Sequence, residues 1–335
     1  MANIFEEKYQ NKLKSENFEL YPKTKDLLLQ LEVTNICNHR CIFCPNHESK
    51  RKKRLIDKDF ALRIIKECAD IGIKKMCYHM NGESLLYPDL VELVNYAKSL
   101  GYTYTFITTN GSIASEELLK KLFDAGLDSI KFSINAGTEE SYQKIHGKSD
   151  YQKAINALKF SYNYRKETGK NYKIFTSFVV TKYTADEVEE FYNEIKEYND
   201  DILFYHLCSY AGQAFDKIKD IYVNISDKDV PVFDITHTMP CAVLINSINV
   251  TCEGYLSICC SEANNYMIIE DLNKKSIKEA WYGDRMVNLR EKHLRGEIED
   301  TPCNACIYGN KGKLVPVNEE LYKESFSILK KNRIS

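Results

Sequence analysis

The chain has 335 residues, a formal net charge of -2, and 44% hydrophobic and 28% charged residues; that length suits one large domain, or a large and a small one. The near-neutral balance excludes a field that would draw in nucleic acid or an acidic membrane, and no apolar run is long enough to span a bilayer. Met1–Gln10 lacks the basic patch and apolar stretch of a secretory signal, so a cytoplasmic chain with no nucleic-acid or membrane partner is expected.

Residues 1–27 read as a helical extension. From Leu28 short apolar runs alternate with amphipathic stretches, and the runs Leu28–Thr34, Ile73–His79, Thr103–Thr109, Ser129–Ile134, Lys173–Val180 and Ile202–Leu207 read as strands. Between them Leu118, Leu119 and Leu122 mark a helix face ending at Gly126, suited to a left-handed stop. Thr184-Ala185-Asp186-Glu187 reads as a capping box before Val188. Strand–helix repetition over 28–208 implies parallel strands with right-handed crossovers, too few to close an eight-stranded barrel. Residues 209–239 read as a linker. A small domain over 240–310 follows, with Ala242–Val250 and Tyr255–Ile258 as strands around a Glu253-Gly254 turn, and 311–335 holds a closing helix.

Twelve cysteines is a high count for a reducing compartment, where clustered thiols point to metal or catalysis rather than disulfides. Cys37, Cys41 and Cys44 form a C-x3-C-x2-C loop directly after the first strand. Three thiolates aimed at one point hold an iron–sulfur cluster with one iron open to a cosubstrate. A structural zinc site with His39 or His47 as fourth ligand is the alternative.

The loop, its place after the first strand and Phe43 before its last cysteine resemble the radical S-adenosylmethionine superfamily. The resemblance implies a partial (β/α)6 barrel, a 4Fe–4S cluster on Cys37, Cys41 and Cys44, and S-adenosylmethionine cleaved to a 5′-deoxyadenosyl radical. Asn81-Gly82-Glu83-Ser84 resembles the family's Gly-Gly-Glu-Pro motif, departing from it at Asn81 and Ser84. It implies that Gly82, Glu83 and Ser84, with Phe43, lie at the cosubstrate. Ser133 and Asn135, two apart on a strand and so on one face, correspond to the polar pair for its ribose and carboxylate.

Glu253–Cys259 and Pro302–Cys306 resemble the hairpin and closing half of SPASM and twitch domains. With no cysteine between Cys260 and Cys303, the match is to the small α+β one-cluster form, whose 4Fe–4S cluster Cys241, Cys259, Cys303 and Cys306 would hold, bringing the total to two. Whether Cys259 or Cys260 is the ligand stays open, as does zinc. Cys260, where the related sulfatase-maturating enzymes carry an acidic base, and Cys208, on the barrel rim, are the candidate catalytic thiols. Cys68 and Cys77 read as core thiols.

Lys50–Arg54 reads either as a solvated basic loop or as a clamp for a phosphate-bearing substrate. The expected function is hydrogen abstraction from a small molecule, a carbohydrate or aminocyclitol, giving epimerisation or dehydrogenation, with electrons from a flavodoxin- or ferredoxin-type donor. The alternatives are a peptide-modifying maturase and a non-catalytic iron–sulfur or zinc scaffold.

Overall fold

The computed structural model describes residues 20–225, 232–233, 239–308 and 314–331. Most of the expected N-terminal extension, residues 1–19, lies outside these. The strands are β1 Leu28–Leu31, β2 Lys75–Cys77, β3 Tyr104–Thr109, β4 Ser129–Ser133, β5 Lys173–Val179, β6 Asp201–Tyr205, β7 Val232–Phe233, β8 Ser247–Val250, β9 Tyr255–Ser257 and β10 Ile268–Asp271. They form one ten-stranded sheet in the order β10-β9-β8-β1-β2-β3-β4-β5-β6-β7. β1 to β7 pair in parallel, as strand–helix repetition dictates.

The cysteine-rich segment continues this sheet. β8 pairs in parallel with the free edge of β1, and β9 and β10 extend it as an antiparallel meander. Gly254, at φ 94°, makes the β8–β9 turn in a conformation that L side chains rarely adopt.

Three expectations are corrected. Ala242–Val250 is a helix, Ala242–Asn246, running into β8; its apolar run fits either state, and length alone separated them poorly. Thr184 caps nothing. Its hydroxyl pairs with Thr181 at 3.0 Å, and Glu187 reaches away to the Gly137 amide at 2.7 Å and Ser141 at 2.7 Å. The linker carries the short helix Phe215–Ile218 and β7.

Alternation along the strands divides the sheet into two faces. Leu29, Leu31, Met76, Tyr78, Ile107, Ile130, Phe132, Ile174 and Phe178 pack with Ile64, Leu90, Leu119 and Ala154 of the covering helices in the main core. Gln30, Cys77, Thr108, Lys131, Ser133 and Ser177 therefore face the opposite side, which we call the inner face. Register agrees: Gln30 aligns with Cys77, Thr108 with Lys131, and Ser133 with Ser177.

Candidate active site

The loop carrying Cys37, Cys41 and Cys44 leaves β1 and is anchored by the backbone. The Arg40 and Ile42 amides donate to the His146 and Ile145 carbonyls at 3.0 and 2.9 Å, and the Cys44 amide turns back to the Cys41 carbonyl at 3.0 Å. Phe43 is buried against Ile145, Ala214, Ile218 and Ile221, so its ring fixes the loop from below. All three thiols are half-buried and free. They sit close enough to oppose one another's ionisation: burial, reinforced by Glu83 and Cys44, pushes Cys37 up to about 11, and burial with Cys44 and Cys37 pushes Cys41 well above the usual thiol range. Thiolate ligation must therefore release protons on metal loading.

His39 and His146 brace Cys41. The Asn135 amide donates to His146 Nε2 at 3.3 Å, so that nitrogen is the acceptor and Nδ1 carries the proton. Nδ1 faces Cys41 Sγ at 3.4 Å and His39 Nδ1 at 3.3 Å, while His39 Nε2 pairs with Asp150 at 3.3 Å. Burial, then His39, holds His146 down to about 3, so it is a neutral donor. The ligating atoms of His39, Cys41 and His146 lie within 4.8 Å of one another; both histidines already have hydrogen-bond partners on their second nitrogens, as braces of a cluster ligand do. His47 lies elsewhere, beside Lys217 at 3.4 Å.

The second motif is strapped to this loop. The Glu83 amide donates to the Ile36 carbonyl at 2.8 Å. At Gly82 a Cβ would collide with the Thr34 carbonyl and stand 2.8 Å from the Ile36 oxygen, so only glycine allows the approach. Glu83 points inward. Its carboxylate accepts from the Leu85 amide at 3.1 Å, Thr109 at 2.7 Å and the Asn110 amide at 2.8 Å, and burial raises its pKa. Ser84 donates to the Tyr78 carbonyl at 2.8 Å. Asn110 and Ser112 in turn hold Asn38 of the cysteine loop, at 2.9 and 2.8 Å. Ser133 meets Ser177 at 3.2 Å on the inner face, whereas Asn135 is buried between His146 and the Val179 amide, which donates to it at 2.8 Å.

The second set converges too. Cys241, Cys259, Cys303 and Cys306 line one cavity, otherwise walled by His293 and by apolar groups including Val243, Leu244, Ile258 and Met267. Four thiols around one largely apolar pocket fit a fully ligated cluster. Cys260 does not line it. Its thiol hydrogen-bonds first to the neighbouring Cys259 thiol, also meets the Gln30 side chain, and lies within electrostatic reach of Cys77 and Cys208, so Cys260 stands between the cavity that Cys259 lines and the inner face.

The basic run is neither a solvated loop nor a clamp at Arg51. That guanidinium is buried, pairs with Glu32 through both terminal nitrogens, and donates from Nε to Glu253 at 2.9 Å. Two carboxylates outweigh its burial, and its pKa rises. The other residues of the run are exposed, with Lys53 closing on the Asn46 side chain at 2.6 Å.

Two inner-face residues escaped the sequence reading. His79, just past β2, meets Thr108 at 3.3 Å and leaves Nδ1 buried without a partner. Lys131, in β4, is depressed to about 8 by burial, against the pull of Cys77 and Cys260. The signal was the polar alternation Ser129-x-Lys131-x-Ser133, where an ordinary core strand would alternate with apolar residues.

Comparisons with known proteins agree with this geometry. The Radical SAM superfamily model matches residues 31–195, and the SPASM iron–sulfur cluster-binding domain model matches 241–307. A probable GTP 3′,8-cyclase of Saccharolobus islandicus is 34% identical over 131 residues, 39% of this chain and 42% of the relative. The molybdenum cofactor biosynthesis protein moc-5 of Caenorhabditis elegans is 29% identical over 192 residues, 56% of this chain and 31% of the relative. The chain thus spans under half the length of these curated relatives. Among solved structures, Streptococcus suis SuiB bound to its precursor peptide SuiA superposes with a TM-score of 0.64 at 18% identity, over 87% of this chain and 72% of that one. BtrN in complex with AdoMet and 2-DOIA gives 0.53 at 17%, over 84% and 91%. At such identities the likeness is one of fold. Two family models in the expected order, with one cysteine set in each, settle the matter: the chain is an enzyme of the radical S-adenosylmethionine superfamily with a SPASM-type auxiliary domain, and its cofactors are S-adenosylmethionine and two 4Fe–4S clusters.

Proposed function

We propose that this enzyme abstracts hydrogen from a carbinol carbon of a polyhydroxylated small molecule, a carbohydrate or aminocyclitol, and inverts that centre. With its cosubstrate and clusters bound, the site supplies a 5′-deoxyadenosyl radical. The observation that carries the reading is Cys260. Its thiol touches both the Cys259 thiol, which lines the auxiliary cavity, and the Gln30 side chain of the inner face, within electrostatic reach of Cys77 and Lys131.

The inner-face groups suit such a substrate. Thr108, Ser133 and Ser177 offer hydroxyls, Gln30 an amide, His79 an imidazole nitrogen without a protein partner, and Lys131 an amine. Together they can hold several hydroxyls and fix which carbon faces the cosubstrate. Of the basic run, Arg51 is spent on Glu32 and Glu253, so a phosphate on the substrate would have to meet the exposed Lys50, Lys52, Lys53 or Arg54.

The hydrogen balance runs through Cys260. The substrate C–H bond breaks and the hydrogen atom leaves on 5′-deoxyadenosine. The Cys260 S–H bond then breaks as its hydrogen atom adds to the opposite face of the carbon radical. One electron from a flavodoxin- or ferredoxin-type reductant and one proton restore the thiol, and Lys131 stands near enough to deliver the proton. A second electron from the same reductant drives the cleavage of S-adenosylmethionine, which is consumed, one molecule per turnover, as methionine and 5′-deoxyadenosine. Cys208, three residues past β6, is half-buried, and loss of solvent pushes its thiol up to about 11; it is the second candidate donor.

The test is turnover in deuterated water with candidate polyols. Wild type should place solvent deuterium on the product carbon. Cys260→Ala should still form 5′-deoxyadenosine while incorporating no deuterium, and Cys208→Ala should behave as wild type. An oxidised product without deuterium from wild type would replace inversion with dehydrogenation.

A further inference from the structure

We infer that His293 is a hydrogen-bond donor to the auxiliary cluster and raises its reduction potential. His293 lies in the last turn of the helix Asp284–Arg295 and is completely buried. A helix that approaches its C-terminal Gly296 in this way normally turns a histidine to water or to the helix's last carbonyls. This one turns inward.

Its ring lines the same cavity as Cys241, Cys259, Cys303 and Cys306. Among the described residues neither Nδ1 nor Nε2 has a hydrogen-bond partner. A neutral imidazole always carries one N–H, so an unanswered donor is buried among apolar groups, at a cost of about 1–3 kcal/mol. Buried polar groups in folded proteins are satisfied almost without exception. The cavity's own chemistry supplies the answer: four thiolates and the sulfides they enclose are acceptors, and they fill the space the ring faces. Four cysteines already complete the cluster's ligands, which makes His293 a positioning residue acting through the sulfurs and not a fifth ligand.

The effect follows from charge. Reduction adds a negative charge that spreads over the sulfurs. An N–H dipole aimed at one of them stabilises the reduced cluster more than the oxidised one, and the potential rises.

The test is an EPR-monitored redox titration of the reconstituted full-length protein, with S-adenosylmethionine added to mark the signal of the first cluster. His293→Leu should assemble its full iron content, with the auxiliary potential shifted negative and the first cluster's potential unmoved. His293→Gln, which keeps an N–H donor, should recover part of the shift. The auxiliary signal of wild type, and not of His293→Leu, should show an exchangeable proton coupled to the cluster after transfer between light and heavy water. Equal potentials in wild type and His293→Leu overturn the inference. So does loss of the auxiliary irons from both variants with the circular dichroism unchanged, which would make His293 a ligand.

Discussion

Cys41→Ala is expected to reduce 5′-deoxyadenosine formation to background while leaving the auxiliary cluster in place. Cys41 is the most deeply held of the three thiols. It is fixed between the backbone anchors on Ile145 and His146 and the His146 ring, and no other described cysteine stands in its loop to replace it. Removing it leaves two thiolates and a donor imidazole aimed at nothing. Iron analysis should fall by about four per chain, the content of one 4Fe–4S cluster. Cys303→Ala is the matched control: it should lose the other irons yet keep cleaving S-adenosylmethionine without converting substrate. Cosubstrate cleavage by Cys41→Ala at the wild-type rate would contradict the assignment of the first cluster.

Arg51→Met should destabilise the fold by about 3–5 kcal/mol, the cost of leaving a buried carboxylate without its partner. Glu32 is wholly buried at the end of β1, and besides Arg51 it accepts from the Cys252 amide at 3.0 Å and the Asn81 side chain at 3.2 Å. Its burial raises its pKa, but Arg51's charge and hydrogen bonds win, and the net shift is downward. Arg51 also reaches Glu253 in the β8–β9 turn, so one side chain ties the loop after the first cluster to the auxiliary segment. Denaturant unfolding of the apoprotein checks the figure. Adding Glu32→Gln should restore part of the loss, because a neutral amide in the same place no longer carries an uncompensated charge. A single variant within about 1 kcal/mol of wild type, the range of an exposed pair, would mean that the pair is not buried in solution.

The parts of the site that are local in sequence were readable, because local spacing is what thiolate ligation and strand alternation act on. The three-cysteine loop and the Gly82 approach follow from residues a few positions apart. So do the four strand ends carrying Cys77, Thr108, Ser133 and Tyr205. What escaped depends on partners far along the chain. Arg51 looked like one of five solvated cations, since Glu253 stands two hundred residues away. Asn135 fitted a cosubstrate contact by strand alternation and by its likeness to the family's polar pair; its contact with His146 at the end of the helix Glu139–His146 was not legible. Glu83 looked like an open acceptor until the β3 end supplied Thr109 and Asn110. The continuous sheet was hidden for the same reason: nothing in β8 announces that its partner is β1. Cys259 and Cys260 were indistinguishable in sequence; their thiols touch, but Cys259 lines the auxiliary cavity and Cys260 does not.

The account rests on two iron–sulfur clusters of different availability, one open to a cosubstrate and one closed. Its most direct test is anaerobic reconstitution of the full-length protein with iron and sulfide, followed by metal analysis and reduction in the presence of S-adenosylmethionine. The account predicts about eight irons and eight sulfides per chain, two 4Fe–4S clusters, with 5′-deoxyadenosine and methionine formed on reduction. Tightly bound zinc in place of iron at the first cysteine loop, with no cosubstrate cleavage under any reductant, would contradict it.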